Sequence, residues 1–141
     1  MRMLAVAVLL LLSGAAHAGD VDVMRQYNML GKWAYVCGQP PSSTNPHETY
    51  AVQPNGDIQR TLEMKVTGLD GNFKIRSAQA GGPEQFTLTL DMRDGEVFTV
   101  TYRREGQRYR SMHSANQKGE VFVSDGKFRS GADTQWFTKC Q

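Results

Sequence analysis

Between Ile58 and Arg103 the chain repeatedly alternates apolar and polar side chains, and this period of two constrains the fold more than any other feature. Ile58, Arg60, Leu62, Met64 and Val66 stand against Gln59, Thr61, Glu63 and Lys65. Phe86, Leu88, Leu90 and Met92 stand against Thr87, Thr89 and Asp91, and Phe98, Val100 and Tyr102 against Thr99, Thr101 and Arg103. Successive side chains of a strand point to opposite faces, so each run reads as an antiparallel strand with one buried and one wet side. The runs are separated by turn sequences such as Pro54-Asn55-Gly56, Gly81-Gly82-Pro83, Asp94-Gly95 and Glu105-Gly106.

A one-residue slip in pairing exchanges the two faces of a strand, so each turn is testable by asking whether both strands bury their apolar sets together. Arg93-Asp94-Gly95, as a three-residue loop with Gly95 in the left-handed bulge position, pairs Leu90 with Phe98, Leu88 with Val100 and Phe86 with Tyr102. Pro54-Asn55-Gly56 likewise pairs Val52 with Ile58 and Tyr50 with Arg60. Glu105-Gly106, as a two-residue loop, sets Tyr102 opposite Tyr109, Arg103 opposite Arg108 and Phe98 opposite His113. Strands are expected over 32–38, 48–53, 57–67, 72–79, 85–92, 96–104, 107–114, 119–124 and 134–140. The expected fold is all-β: an antiparallel meander of about eight or nine strands closed into a small barrel, with a short N-terminal helix. Closure removes the sheet edges that invite aggregation. The helix is expected over Asp20 to Leu30, where Val23, Tyr27 and Leu30 share a face, and Gly31 is expected to end it. A two-sheet sandwich would need long crossovers, and only Gly38 to Pro46 suggests one.

The first eighteen residues read as a leader and not as structure. Met1-Arg2-Met3 is a positive start, Leu4 to Leu12 is an apolar run too short to span a bilayer, and Ala16-His17-Ala18 fits a small-x-small cleavage site. Cleavage after Ala18 leaves residues 19–31 for the helix and 32–141 for the barrel. It leaves about 123 residues, destined for the periplasm or secretion with no stable membrane insertion. Loss of Arg2 lowers the formal charge from +2 to +1. In an oxidising compartment the two cysteines, Cys37 and Cys140, are expected to pair. Neither a C-x-x-C spacing nor a histidine cluster supports a redox or metal role. Trp33 precedes Cys37 by the same spacing at which Trp136 precedes Cys140. A parallel alignment of the end strands would bring both pairs together, whereas an antiparallel closure would keep the disulfide and separate the tryptophans.

The near-neutral charge argues against a nucleic-acid binder. With 40% hydrophobic residues and thirteen Phe, Trp or Tyr, the chain is not a disordered one. There is no Gly-x-Ser-x-Gly elbow, no phosphate loop and no metal-ligand spacing, so the reading is non-catalytic, with no cofactor and no metal. The inferred inner face offers Phe86, Leu88, Phe98, Val100, Tyr102, Tyr109 and His113 as the lining of a site for a small apolar or amphipathic ligand, with His113 placed to orient its polar head. The alternative is a barrel filled by side chains that docks on a protein or an envelope component. Arg103, Arg104, Arg108 and Arg110 form the strongest local charge feature, an outward patch suited to an anionic partner.

A short helix, then Gly31-Lys32-Trp33, then a meander of strands resembles the lipocalin and calycin group, whose first strand opens with a Gly-x-Trp motif. The resemblance implies a central cavity for a small apolar ligand and a structural role for Trp33 at the barrel base. The chain has no Thr-Asp-Tyr-type segment and no long helix before the final strand. Tyr35-Val36-Cys37 and Cys140 are similar to two points of the periplasmic inhibitors of C-type lysozyme, which implies the docking alternative. The inhibitory Ser-Gly-x-Arg-Tyr type loop of that family has no equivalent, since Ser130-Gly131-Ala132 continues as Asp133-Thr134.

Overall fold

The computed structural model describes residues 15–141, with side chains from Gly19 onward. The leader expected over residues 1–18 therefore lies outside the described residues, save the backbone of its end. Helix α1 (Ala15–Gln26) is followed by β1 (Gly31–Ala34), β2 (His47–Val52), β3 (Ile58–Glu63), β4 (Gly71–Ala80) and β5 (Gln85–Asp91). Then come β6 (Val97–Glu105), β7 (Arg108–Asn116), β8 (Val121–Ser124), β9 (Lys127–Phe128) and β10 (Phe137–Lys139). Each strand from β1 to β9 pairs antiparallel with its sequence neighbour, and β10 pairs with both β1 and β7. Eight strands thus close an antiparallel barrel, and the β8–β9 hairpin lies outside the ring.

The helix ends earlier than expected, and for a local reason. Asn28 takes a left-handed conformation (φ 53°), while the Asn28 amide donates to the Arg25 carbonyl and the Met29 amide to the Met24 carbonyl. This is a Schellman cap with Asn28 where glycine is usual. Gly31, at φ +115°, opens β1 instead, and a Cβ there would stand 3.2 Å from the Lys139 side chain. Lys139 Nζ reaches through that gap to the Leu30 carbonyl and to the Asn28 carbonyl (2.8 Å), and it lies 4.8 Å from the Trp33 ring centre. A last-strand cation therefore takes the carbonyls just beyond α1 and ties the end of the helix to the barrel.

Two of the three hairpin registers agree with the sequence reading. Leu90 faces Phe98, Leu88 faces Val100 and Phe86 faces Tyr102, while Val52 faces Ile58 and Tyr50 faces Arg60. The third differs. Gly106-Gln107 is the loop, with Gly106 (φ 57°) at the first central position as a type II′ turn requires, so Glu105 faces Arg108 and Arg103 faces Arg110. Tyr102 accordingly faces Ser111 and not Tyr109, and Phe98 faces Asn116. A bulge at Met112 then moves Thr101 opposite His113, which turns His113 to the outside.

The end strands are antiparallel, with Trp33 beside Lys139 and Ala34 beside Thr138. An even number of ring strands in a meander leaves no other choice, so the tryptophans are apart. Cys37 and Cys140 are disulfide-bonded with their Cα atoms 5.4 Å apart. Strand β1 is shorter than expected because residues 35–46 leave the sheet as a loop folded on Asn45. The Asn45 Oδ1 accepts from the Val36 amide, and its Nδ2 donates to the carbonyls of Val36, Gln39 and Pro40.

The helix-closed half of the barrel is packed solid. Trp33 meets Tyr109 edge-on at 4.8 Å, Tyr109 meets Tyr102 at 5.2 Å, and Phe86 lies between Tyr102 and Tyr27. Trp33, Phe86, Leu88 and Tyr109 all have 0% exposure, which leaves no water-sized space against them. Each such burial contributes about 1.5–3 kcal/mol.

Candidate functional site

The two ends of the barrel differ. Helix α1 covers one, and loops surround the other. Under those loops is an open apolar hollow of about 310 Å³, walled by Leu62, Met64, Leu69, Phe73, Met92 and Phe98, with Arg93, Asp94 and Glu96 at its rim. Leu62 and Phe73 reach it because they continue the inward sides of β3 and β4. Met64 and Leu69 reach it because β3 stops at Glu63, where Lys65 turns left-handed (φ 57°). Asp70 holds that turn, its carboxylate accepting from the amides of Met64 (2.7 Å) and Lys65 (3.0 Å). These backbone bonds, that of Met64 first, lower the Asp70 pKa below the ordinary carboxylate range. Arg93 donates to the Asp70 carbonyl and so ties the opposite rim to the same loop.

Within the ring, β2 and β3 also project a charge pair. Glu48 (4% exposed) receives Arg60 on one carboxylate oxygen and the hydroxyls of Tyr50 (2.9 Å) and Tyr109 on the other. Burial opposes the Arg60 charge, but the Glu48 carboxylate outweighs it and the pKa lies well above the ordinary arginine value. Tyr102, desolvated and close to Glu48, is pushed up to about 12, and Tyr50 and Tyr109 are raised well above the ordinary value by the same two causes in the same order. The Arg60 Nε is sealed from solvent with no partner, and its guanidinium stands 5.8 Å from the Phe73 ring of the hollow. Its side chain keeps 13% exposure. Neither Glu48 nor Arg60 lines the hollow, and Phe73 is the residue that joins the two.

The residues proposed as ligand lining separate into three groups. Phe86, Leu88, Tyr102 and Tyr109 belong to the packed half. Val100 is half-buried against that core, and Phe98 alone of the set lines the hollow. His113 is exposed and lies with Thr101, Arg103, Met112 and Asp125 along a separate groove of about 740 Å³ on the outer surface of the barrel. The four arginines divide as well. Arg103 and Arg108 both pair with Glu105, at 3.0 and 2.9 Å, and Arg110 sits opposite Arg103. Arg108's hydrogen bond and the three arginine charges lower the Glu105 pKa. Arg104 instead turns towards the 81–84 loop, its Nε donating to the Gly106 carbonyl.

Sequence reasoning placed Leu62, Met64 and Met92 on inner faces but gave no sign that they surround an opening. Leu69, in a loop, carried no pattern at all. Arg60 did carry one: it is the single charged member of the otherwise apolar series from Ile58 to Val66, and its partner Glu48 is a strand away. No helix among the described residues is long and apolar enough to cross a membrane. Comparison with protein-family models, curated proteins and solved structures returns no match.

Proposed function

We propose that this is an exported, non-catalytic barrel of lipocalin-like type that binds a small apolar or amphipathic molecule at its open mouth. The carrying observation is the asymmetry of the barrel, packed solid beneath α1 and hollow at the opposite end. The walls suit an apolar ligand: two methionines adapt to irregular shapes, and Leu69 is 49% exposed although large and apolar. The hollow is at the small end of ordinary ligand sites, which run from roughly 300 to 1,000 Å³. This favours a compact molecule or the end of a chain over a bulky ring system. The Cys37–Cys140 bond and the leader-like first eighteen residues support an oxidising compartment. The filled half supports the docking alternative only for the outer surface.

Titration of the protein from Gly19 onward with cis-parinaric acid, a fluorescent fatty acid without rings, tests the proposal. Saturable one-to-one binding is expected, weakened at least tenfold by Leu69→Glu with Met64→Glu and unaffected by changes to the outer groove at His113. Equal affinity in the double variant, with its melting temperature retained, would overturn it.

A further inference from the structure

The outer surface of β7 carries a second arrangement that the mouth does not use. Arg108 and Arg110 alternate on the outward side of the strand, about 6.8 Å apart along it. Both guanidiniums lie against Trp136, just before β10, at 4.3 and 4.9 Å from the ring centre. Arg103 stands directly across from Arg110 on β6. Like charges facing each other across a ladder are unfavourable, and a single carboxylate, Glu105, bridges Arg103 and Arg108.

Arg110 has no such bridge. Its guanidinium makes no hydrogen bond among the described residues, and its Nε is enclosed without a partner. Asp133, the other nearby carboxylate, is taken by Lys127 at 2.8 Å. Stacking on indole fixes the plane of a guanidinium, and with Nε enclosed the edge of the two terminal nitrogens is left to receive an oxyanion in bidentate fashion. Among the described residues the exposed large apolar side chains are Val36, Val52, Leu69, Val121 and Phe128, none of them on β6 or between Arg108 and Arg110. A membrane-inserting wedge is therefore missing from this strip, whereas regularly spaced cations along an extended strand match a chain of regularly spaced anions.

The geometry points to an anion-binding strip, Arg108 and Arg110 stacked on Trp136 with Arg103 across from Arg110, that takes an acidic polysaccharide through its carboxylate or sulfate groups. The site is independent of the mouth. Trp136 reports on it directly, because Trp33 is wholly buried at the far side of the barrel wall.

The test follows Trp136 fluorescence on adding polygalacturonate or dextran sulfate to the disulfide-intact protein, with uncharged dextran and phosphatidylglycerol vesicles as comparisons. Binding is expected to the two acidic polymers alone and to fall roughly tenfold between 50 and 200 mM salt as counterions are released. Arg108→Gln with Arg110→Gln is expected to weaken it at least tenfold. Arg110→Lys, which keeps the charge and loses the planar fork, should give an intermediate loss. Arg108→Gln alone, at a half-exposed position, serves if the double variant does not fold. Unchanged affinity in these variants, equal binding of uncharged dextran, or binding to vesicles without binding to the polymers would overturn the proposal.

Discussion

Replacing both Cys37 and Cys140 by serine is expected to lower the melting temperature by roughly 15–20 °C without changing the fold. The bond joins residues separated by 103 positions and so ties the barrel's first strand to its last. In the chain-entropy model, releasing a loop of about 100 residues returns about 4.7 kcal/mol of freedom to the unfolded state. Unfolding entropy near 2.1 cal/mol/K per residue gives about 0.25 kcal/mol/K for the roughly 120 residues from Gly19 onward, the form to be measured, which converts that energy into the stated shift. The location adds a second, regional expectation. Only Trp33–Lys139 and Ala34–Thr138 pair β1 with β10, and only Phe137–Tyr109 and Thr138–Arg108 pair β10 with β7, so this seam has the shortest ladders of the ring. Calorimetry of the oxidised protein and the double variant measures the first effect, and amide exchange measures the second. Exchange should accelerate at Lys139 and Cys140, whose amides donate to Gln107 and Lys32, before it does in β4 to β6. A melting shift below about 5 °C, or uniform acceleration in all strands, would refute the loop-closure argument.

Other perturbations address the interior. Glu48→Gln leaves the Arg60 charge uncompensated and should cost about 3–5 kcal/mol in urea unfolding, whereas Glu48→Gln with Arg60→Met, which removes the charge and keeps an acceptor for the Tyr50 and Tyr109 hydroxyls, should recover part of it; a double variant no better than the single one would contradict this. The tyrosines around Glu48 make the protein sensitive to alkali. Their folded pKa values lie above the unfolded value near 10, so their full contribution is present below pH 10 and is lost as the pH climbs through the folded values. For Tyr102, raised to about 12, the loss by pH 12 is roughly 2–3 kcal/mol, and unfolding free energies measured between pH 9 and 11.5 should fall. Asn45→Ala removes one acceptor and three donor contacts from the 35–46 loop and should cost about 2–3 kcal/mol. Proteolysis after that change is expected at Gly38 to Thr44, and cleavage elsewhere first would count against the loop assignment.

How far local pattern reached is clearest in the three hairpins. Around Gly56 and Gly95 the turn chemistry and the apolar alternation agree, and the registers follow from them. At Gly106 the two registers differ by two residues, which keeps the same sides facing inward, so local alternation did not distinguish them, and the bulge at Met112 then turns Ser114 and Asn116 inward. His113 crossed to the outside for that reason. The mouth was less legible still. Leu69 and Met64 come together through Asp70, whose role as an acceptor for three amides is a loop geometry without a sequence period.

The sequence by itself determined the all-β class, the closed meander and the pairing partners of its clearest strands, because alternation and turn residues act over a few neighbours. It also identified the cysteines that now hold the ring shut. Which end is packed, which is open, and where the charges go were decided only in three dimensions. Lys139 crosses to the Asn28 and Leu30 carbonyls, Glu48 meets Arg60, and Trp136 gathers two arginines from another strand. The first and the last depend on ring closure, which brings distant residues within a few ångströms of one another, and no periodicity along one chain encodes that distance; the second joins neighbouring strands of one hairpin.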